Sequence, residues 1–167
     1  MTRMHIRVAV PGDEAAVSAV LLASYTQLMA KDYEAGVLSA SLPRMVQANP
    51  GLLASGTFYV GVGPGGVLTG CGGWTVAAPG TKAEIAGLGH LRHFGTHPDF
   101  VRRGVGRLIY NRCVGAAKLA AVAKFQAYAS LTSVPFYASV GLHFIRNFDL
   151  SLGGDVTLPA ALMEGEI

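Results

Sequence analysis

His97-Pro98-Asp99-Phe100-Val101-Arg102-Arg103-Gly104-Val105-Gly106-Arg107-Leu108 is the stretch on which the reading of this chain turns. Before it, Gly89–Thr96 alternates as a strand. After Gly104 the apolar period becomes helical, with Val105, Leu108, Ile109, Cys113, Ala116 and Ala120 as the expected buried stripe. Arg103, Arg107, Asn111 and Lys118 are expected to point away from it. The stretch therefore reads as strand, glycine turn, helix. Such a turn leaves the first backbone N–H groups of the helix without intrahelical partners, and the helix dipole adds partial positive charge to them. Gly104 and Gly106 let a ligand approach the backbone with no Cβ in the way. Arg102, Arg103 and Arg107 add full charges. The combination reads as an anion site suited to a diphosphate. Set against it is the plainer reading of a solvated basic helix face.

The charge map around the stretch agrees. Between Phe100 and Phe148 there is no Asp or Glu, but there are seven cations, Arg102, Arg103, Arg107, Arg112, Lys118, Lys124 and Arg146. Over the whole chain, 13 Lys and Arg against 10 Asp and Glu give +3, with an isoelectric point near 9.0. That is too mild for a dedicated nucleic-acid binder. At 167 residues, 51% hydrophobic and 14% charged, the chain suits one domain spanning residues 1–167 and excludes a disordered chain.

Outward from the motif, the remaining elements read as follows. His5–Val10 is a strand ended by Pro11-Gly12. Asp13 is the expected N-cap of a helix carrying Val17, Val20, Leu21 and Ser24 on one face. A second helical stretch covers roughly Tyr33–Gln47, broken or kinked at Pro43. Thr57–Val62 and Val67–Val76 form a hairpin around Gly63–Gly66. Ala77–Ala86 is a loop. Phe125–Leu131 is a strand after the crossover helix, Ser133–Val140 a short helix stopped by Gly141. Phe144–Leu152 and Leu158–Glu164 close the chain around Gly153-Gly154. The order predicts a mixed α/β (α+β) domain.

Several apparent motifs fail on context. Gly61-Val62-Gly63-Pro64-Gly65-Gly66 fits G-x-G-x-x-G, yet Val67-Leu68-Thr69 continues as a strand, whereas a dinucleotide fingerprint must open a helix. His90, His93 and His97 are scattered by strand spacing, and no Cys or carboxylate completes a tetrahedral set, so no metal is expected. Cys71 and Cys113 lie in apolar patterns and read as reduced core residues of a cytoplasmic protein. The longest uncharged stretch, Met45–Thr81, holds ten glycines and three prolines. It is too broken for a spanning helix despite a mean hydropathy of +0.41. Met1–Val10 has no apolar block long enough for a signal peptide. The aromatics Phe125, Tyr128, Phe136, Tyr137 and Phe144 alternate as core rather than as a nucleic-acid platform. No membrane and no nucleic-acid partner is expected.

The Arg102–Arg107 loop resembles motif A of the GCN5-related N-acetyltransferases, whose loop reads Gln/Arg-x-x-Gly-x-Gly/Ala. Three further segments in the same order resemble that family: Ile6-Arg7-x-Ala9, Gly70-Cys71-Gly72-Gly73-Trp74, and Pro135-Phe136-Tyr137 through Gly141-Leu142. The ending Pro159–Glu164 resembles its last strand. Val101 departs from the usual Gln or Arg, and Leu142 from the usual Phe.

The resemblance implies a mixed, mostly antiparallel sheet with splayed parallel fourth and fifth strands and helices on both faces. It implies acetyl-CoA as co-substrate and direct transfer to a primary amine, carried by a small molecule or peptide, in a ternary complex. By position, the pyrophosphate would meet the amides of Arg102, Arg103, Gly104, Gly106 and Arg107. The pantetheine would pair near Phe94 and Thr96, and the Phe94 amide would polarise the thioester carbonyl. Tyr137 matches the general acid. His90 is the candidate general base, weighed against a structural histidine, a water relay and, at a loop position, Glu84. His93 is expected to face the other side. Asp32 and Glu34 could attract a cationic acceptor. The resemblance also allows a homodimer. The competing class is a non-catalytic acyl-CoA-binding or protein-interaction module on the same fold.

Overall fold

The computed structural model describes residues 3–167; Met1 and Thr2, where the reading of the N-terminus begins, lie outside them. Seven strands form one sheet: β1 (His5–Val8), β2 (Phe58–Val62), β3 (Leu68–Thr75), β4 (Leu88–Thr96), β5 (Lys124–Ser130), β6 (His143–Ser151) and β7 (Thr157–Glu166). The spatial order is β1-β2-β3-β4-β5-β7-β6. Every pairing is antiparallel except β4 with β5, which is parallel. The helices are α1 (Glu14–Leu28), α2 (Ala35–Met45), α3 (Pro50–Leu53), α4 (Val105–Leu119) and α5 (Val134–Ser139). Strands at the expected places, joined by a crossover helix, give the mixed sheet the sequence predicts.

The sheet separates two cores. On one face α1 lays Val17, Val20 and Leu21 against Phe58, Val60 and Cys71. On the other, α4 lays Val105, Ile109 and Cys113 against Leu91, Phe125 and Ala127, and α5 adds Tyr137. A third, smaller cluster joins Met29, the C-cap of α1, and Leu38 of α2 to Leu158 of β7.

Some local expectations need correction. Asp13 stands at the N-cap of α1 but caps nothing in that helix. Its carboxylate turns back, accepting two bonds from Arg7 at 2.8 and 2.9 Å and one from the Val10 amide. The stripe of α4 runs through Tyr110 and Ala117 rather than Leu108 and Ala120, which are exposed. Pro43 lies inside α2 without ending it. Helix α3 was not expected; Asn49 caps it by accepting from the Gly51 and Leu52 amides, with Pro50 at its first position. Gly63–Gly66 is a turn between β2 and β3, as the failed dinucleotide motif requires.

Candidate functional site

Strands β4 and β5 are paired only at Leu88–Lys124, Gly89–Phe125 and His90–Gln126. Beyond His90 they part. β4 continues to Thr96, held by β3 alone, and β5 continues to Ser130, held by β7 alone. Their facing backbone edges are left open to each other. A strand-like ligand could fill such an opening with main-chain hydrogen bonds.

A bulge in β4 lies within the parted stretch. Cys71 faces Gly95 and Gly73 faces Arg92, so His93 and Phe94 together oppose the single residue Gly72. His93 carries φ of 52°, in the left-handed region, which a non-glycine residue adopts at a cost. Two side chains hold the bulge. The Cys71 thiol donates to the His93 carbonyl at 3.3 Å, and the Tyr25 hydroxyl donates to the Phe94 carbonyl at 2.9 Å. Burial pushes the Tyr25 phenol well above its ordinary range and the Cys71 thiol up to about 12, so both stay protonated donors. Gly72 is needed opposite the bulge: a Cβ there would stand 2.7 Å from the Phe94 ring.

At the wide end of the opening lies the loop into α4. Arg102 has φ of 62° and Gly104 has φ of 78°, turning the chain sharply just before the helix. Gly104 is the N-cap, and no side chain caps the helix start. The amides of Val105, Gly106 and Arg107 are therefore free of intrahelical partners and carry the positive end of a 15-residue helix.

The opening is one end of a cleft of about 540 Å³. Of the residues singled out from sequence, Phe94, Thr96, Arg102, Gly104, Gly106, Arg107 and Tyr137 line it. The Tyr137 ring is packed edge-on to Phe94 at 6.0 Å and to Phe136 at 5.3 Å. Burial raises its phenol above the ordinary value, which keeps it a proton donor. Arg107 also donates to the Ser139 carbonyl at 3.1 Å, tying α4 to the end of α5.

Others are placed elsewhere. Arg103 does not line the cleft; its guanidinium lies 5.5 Å over the Phe100 ring. His90 does not line it either. The residue is 4% exposed, and its ring lies 6.2 Å from that of Tyr128. Glu84, Asp32 and Glu34 are outside the lining. His93, set aside by strand alternation, is inside it, because the bulge changes which residues face the opening. Burial pushes its imidazole down to about 4, with the Arg92 charge adding to the effect. Its Nδ1 and the Thr132 hydroxyl are buried without a hydrogen-bond partner, and both residues line the cleft. Such orphaned polar atoms at a cavity wall suit a ligand that completes them. Tyr25, His93 and Thr132 were missed because no local pattern marks a bulge or the residues that hold it.

Among the described residues no cluster of three His, Cys, Asp or Glu could hold a metal ion. No helix among them is long and apolar enough to cross a membrane.

The site is thus a mixed seven-stranded sheet opened between its parallel central strands, with an uncapped helix start at the wide end. Residues 76–148, less than half of the chain, match the family profile of the acetyltransferase (GNAT) domain. The fold is shared end to end with solved structures at low identity. A GCN5-related N-acetyltransferase from Rhodopseudomonas palustris is 21% identical, with a TM-score of 0.78 over 100% of this chain and 98% of that one. The PaiA N-acetyltransferase from Thermoplasma acidophilum, solved in complex with coenzyme A, is 14% identical, with a TM-score of 0.73 over 99% and 100%. A GCN5-related N-acetyltransferase from Kribbella flavida is 18% identical, with a TM-score of 0.63 over 98% of each chain. No curated protein sequence matches the chain.

Proposed function

We propose that the protein transfers the acetyl group of acetyl-CoA to a primary amine, with both substrates bound together. The observation that carries this reading is the parting of β4 and β5 beyond His90, with the uncapped start of α4 at one end and Tyr137 beside the bulge. The coenzyme A bound to the Thermoplasma acidophilum structure supports it as well.

Acetyl-CoA would supply an activated acyl group and a thiolate leaving group. The chain's own residues then divide the work. The amides at the start of α4, with Arg102 and Arg107, neutralise a diphosphate. The open backbone around Phe94 and Thr96 orients an extended arm. The Phe94 amide stabilises negative charge developing on the thioester oxygen. Tyr137 donates its phenolic proton to the departing thiolate and regains one from solvent. For the proton acceptor we assign His93 rather than His90, since His93 lines the cleft. An imidazole held neutral accepts a hydrogen bond from the attacking nitrogen and hands its proton on to water.

The test is thiol release from acetyl-CoA in the presence of an amine panel, with mass detection of the acetylated product. Amine-dependent release that falls steeply in Tyr137→Phe is expected. Acetyl-CoA binding with no transfer to any amine would favour the non-catalytic binding module. Transfer undiminished in Tyr137→Phe would remove the acid assignment.

A further inference from the structure

The end of the cleft away from the α4 loop has a chemistry that the transfer reaction does not require. Along α1 its wall runs from Tyr25, whose hydroxyl holds Phe94, to Met29, four residues and about 6 Å further on. There Met29 and Leu158 belong to one apolar cluster, with Met45 and Leu152 packed against it. Beyond this apolar wall stands Arg44 of α2. Its guanidinium reaches across to the β6–β7 turn, 3.5 Å from the Leu152 carbonyl, and lies close against Gly153 and Gly154.

Two features set Arg44 apart. Among the described residues it pairs with no carboxylate, although Asp155 sits in the same turn. The cleft lining contains no Asp or Glu at all; its charged members are Arg44, Arg102 and Arg107, with His93 held neutral. Arg102 and Arg107 belong to the phosphate end. An acceptor with a second cation would meet an apolar wall and then an unpaired guanidinium. An acceptor with an anion would meet the guanidinium as a partner.

We propose that the acceptor carries its amine and an anionic group at opposite ends of an apolar body, and that Arg44 reads the anion. This rests on the acetyl-transfer reading above. It corrects the expectation that Asp32 and Glu34 draw in a cationic amine, because neither lines the cleft. Arg44 is a specificity residue here and takes no part in the chemistry.

The experiment uses three amines built on a six-carbon chain: 6-aminohexanoate, hexylamine and 1,6-diaminohexane. For the wild type, kcat/KM for 6-aminohexanoate should exceed that for hexylamine by about fivefold, the size expected of an exposed ion pair, with the diamine last. In Arg44→Gln the ratio between 6-aminohexanoate and hexylamine should fall to about one, through KM. Arg44→Glu should invert the order in favour of the diamine. A calorimetric acetyl-CoA titration of each variant reports separately that it is folded and binds donor. Equal use of 6-aminohexanoate and hexylamine by the wild type overturns the proposal. So does an Arg44→Gln loss of equal size for all three amines, or donor binding with none of them acetylated. Tighter binding of hexanoyl-CoA than acetyl-CoA, lost in Met29→Ser, would assign the apolar wall to the acyl chain and overturn it too. Absence of acetyl-CoA binding in the wild type would instead fail the underlying transfer reading.

Discussion

Removing one oxygen atom tests whether the bulge is held for catalysis. In Tyr25→Phe the ring remains and only the hydroxyl that donates to the Phe94 carbonyl at 2.9 Å is lost. That carbonyl belongs to the bulge whose amide we assign to the thioester oxygen. Leaving a part-buried carbonyl without its donor costs about 1–3 kcal/mol. For a chain of this length each kcal/mol lowers Tm by roughly 2–4 °C, so a fall of about 2–12 °C is expected. Full removal of one oxyanion donor costs about 2.7–4 kcal/mol in other acyl transfers. A donor that is displaced rather than removed should lose less, about 1–2 kcal/mol, or 5- to 30-fold in kcat. Acetyl-CoA affinity, which the proposed function assigns mainly to the α4 loop, should change less than about twofold. Thermal unfolding followed by fluorescence and a thiol-release assay measure the two effects. An unchanged Tm with unchanged kcat would refute the argument that this hydroxyl positions the bulge. A lower Tm with full kcat would leave Tyr25 with a structural role alone.

Further outcomes are expected. Because His93 is held down to about 4, no histidine limb should be seen in kcat/KM between pH 6 and 9. The only rise with pH there should be that of the acceptor amine losing its proton, and Tyr137, raised by burial, should give no falling limb; a limb near pH 6.5 would contradict the assignment. The same depressed histidine binds fewer protons folded than unfolded, so stability should fall as pH drops from about 6.5 to about 4. His93→Gln should flatten that slope in acid melts. The Cys71 thiol, pushed up to about 12, and the buried Cys113 thiol should react with a thiol reagent only after unfolding. Rapid labelling of the native protein would count against the tight packing of both. In Asp13→Asn, the loss of the charge that meets Arg7 should lower stability by about 1–2 kcal/mol. In the parent protein that contribution is present above the ordinary carboxylate pKa and fades as pH falls through the lowered one.

What was legible in the sequence was local. The 97–108 motif could be read because a glycine turn and a change of period mark a strand-to-helix junction within a few residues. The two closing strands could be read because Gly153-Gly154 separates two alternating runs. The bulge in β4 could not. An inserted residue leaves no mark in a period-two pattern, yet it brings His93 to the cleft. Strand alternation therefore favours His90, whereas the structure puts His93 and not His90 at the cleft wall. Tyr25 and Arg44 lie 69 and 108 residues from their respective partners Phe94 and Leu152, and nothing near either residue signals those contacts. Asp13 shows a subtler failure: its position was right, but Arg7 offered a charged partner where a helix offers only neutral amides, and the charged partner is the stronger. In α4, Leu108 and Tyr110 are both apolar enough for either face, and only the neighbouring strands decide between them.

The central claim is that the loop into α4 holds the diphosphate of acetyl-CoA. Calorimetric titration with acetyl-CoA at low salt tests it, comparing the wild type with Gly104→Ala and Gly104→Glu. A Cβ at Gly104 meets no atom within 4 Å, but its φ of 78° strains any side chain. The alanine variant therefore measures strain alone, and the glutamate adds an anion. Saturable one-to-one binding that is weakened at least tenfold more by Glu than by Ala, and by added salt, is the predicted result. No binding to the wild type, or equal binding to the two variants, would contradict it.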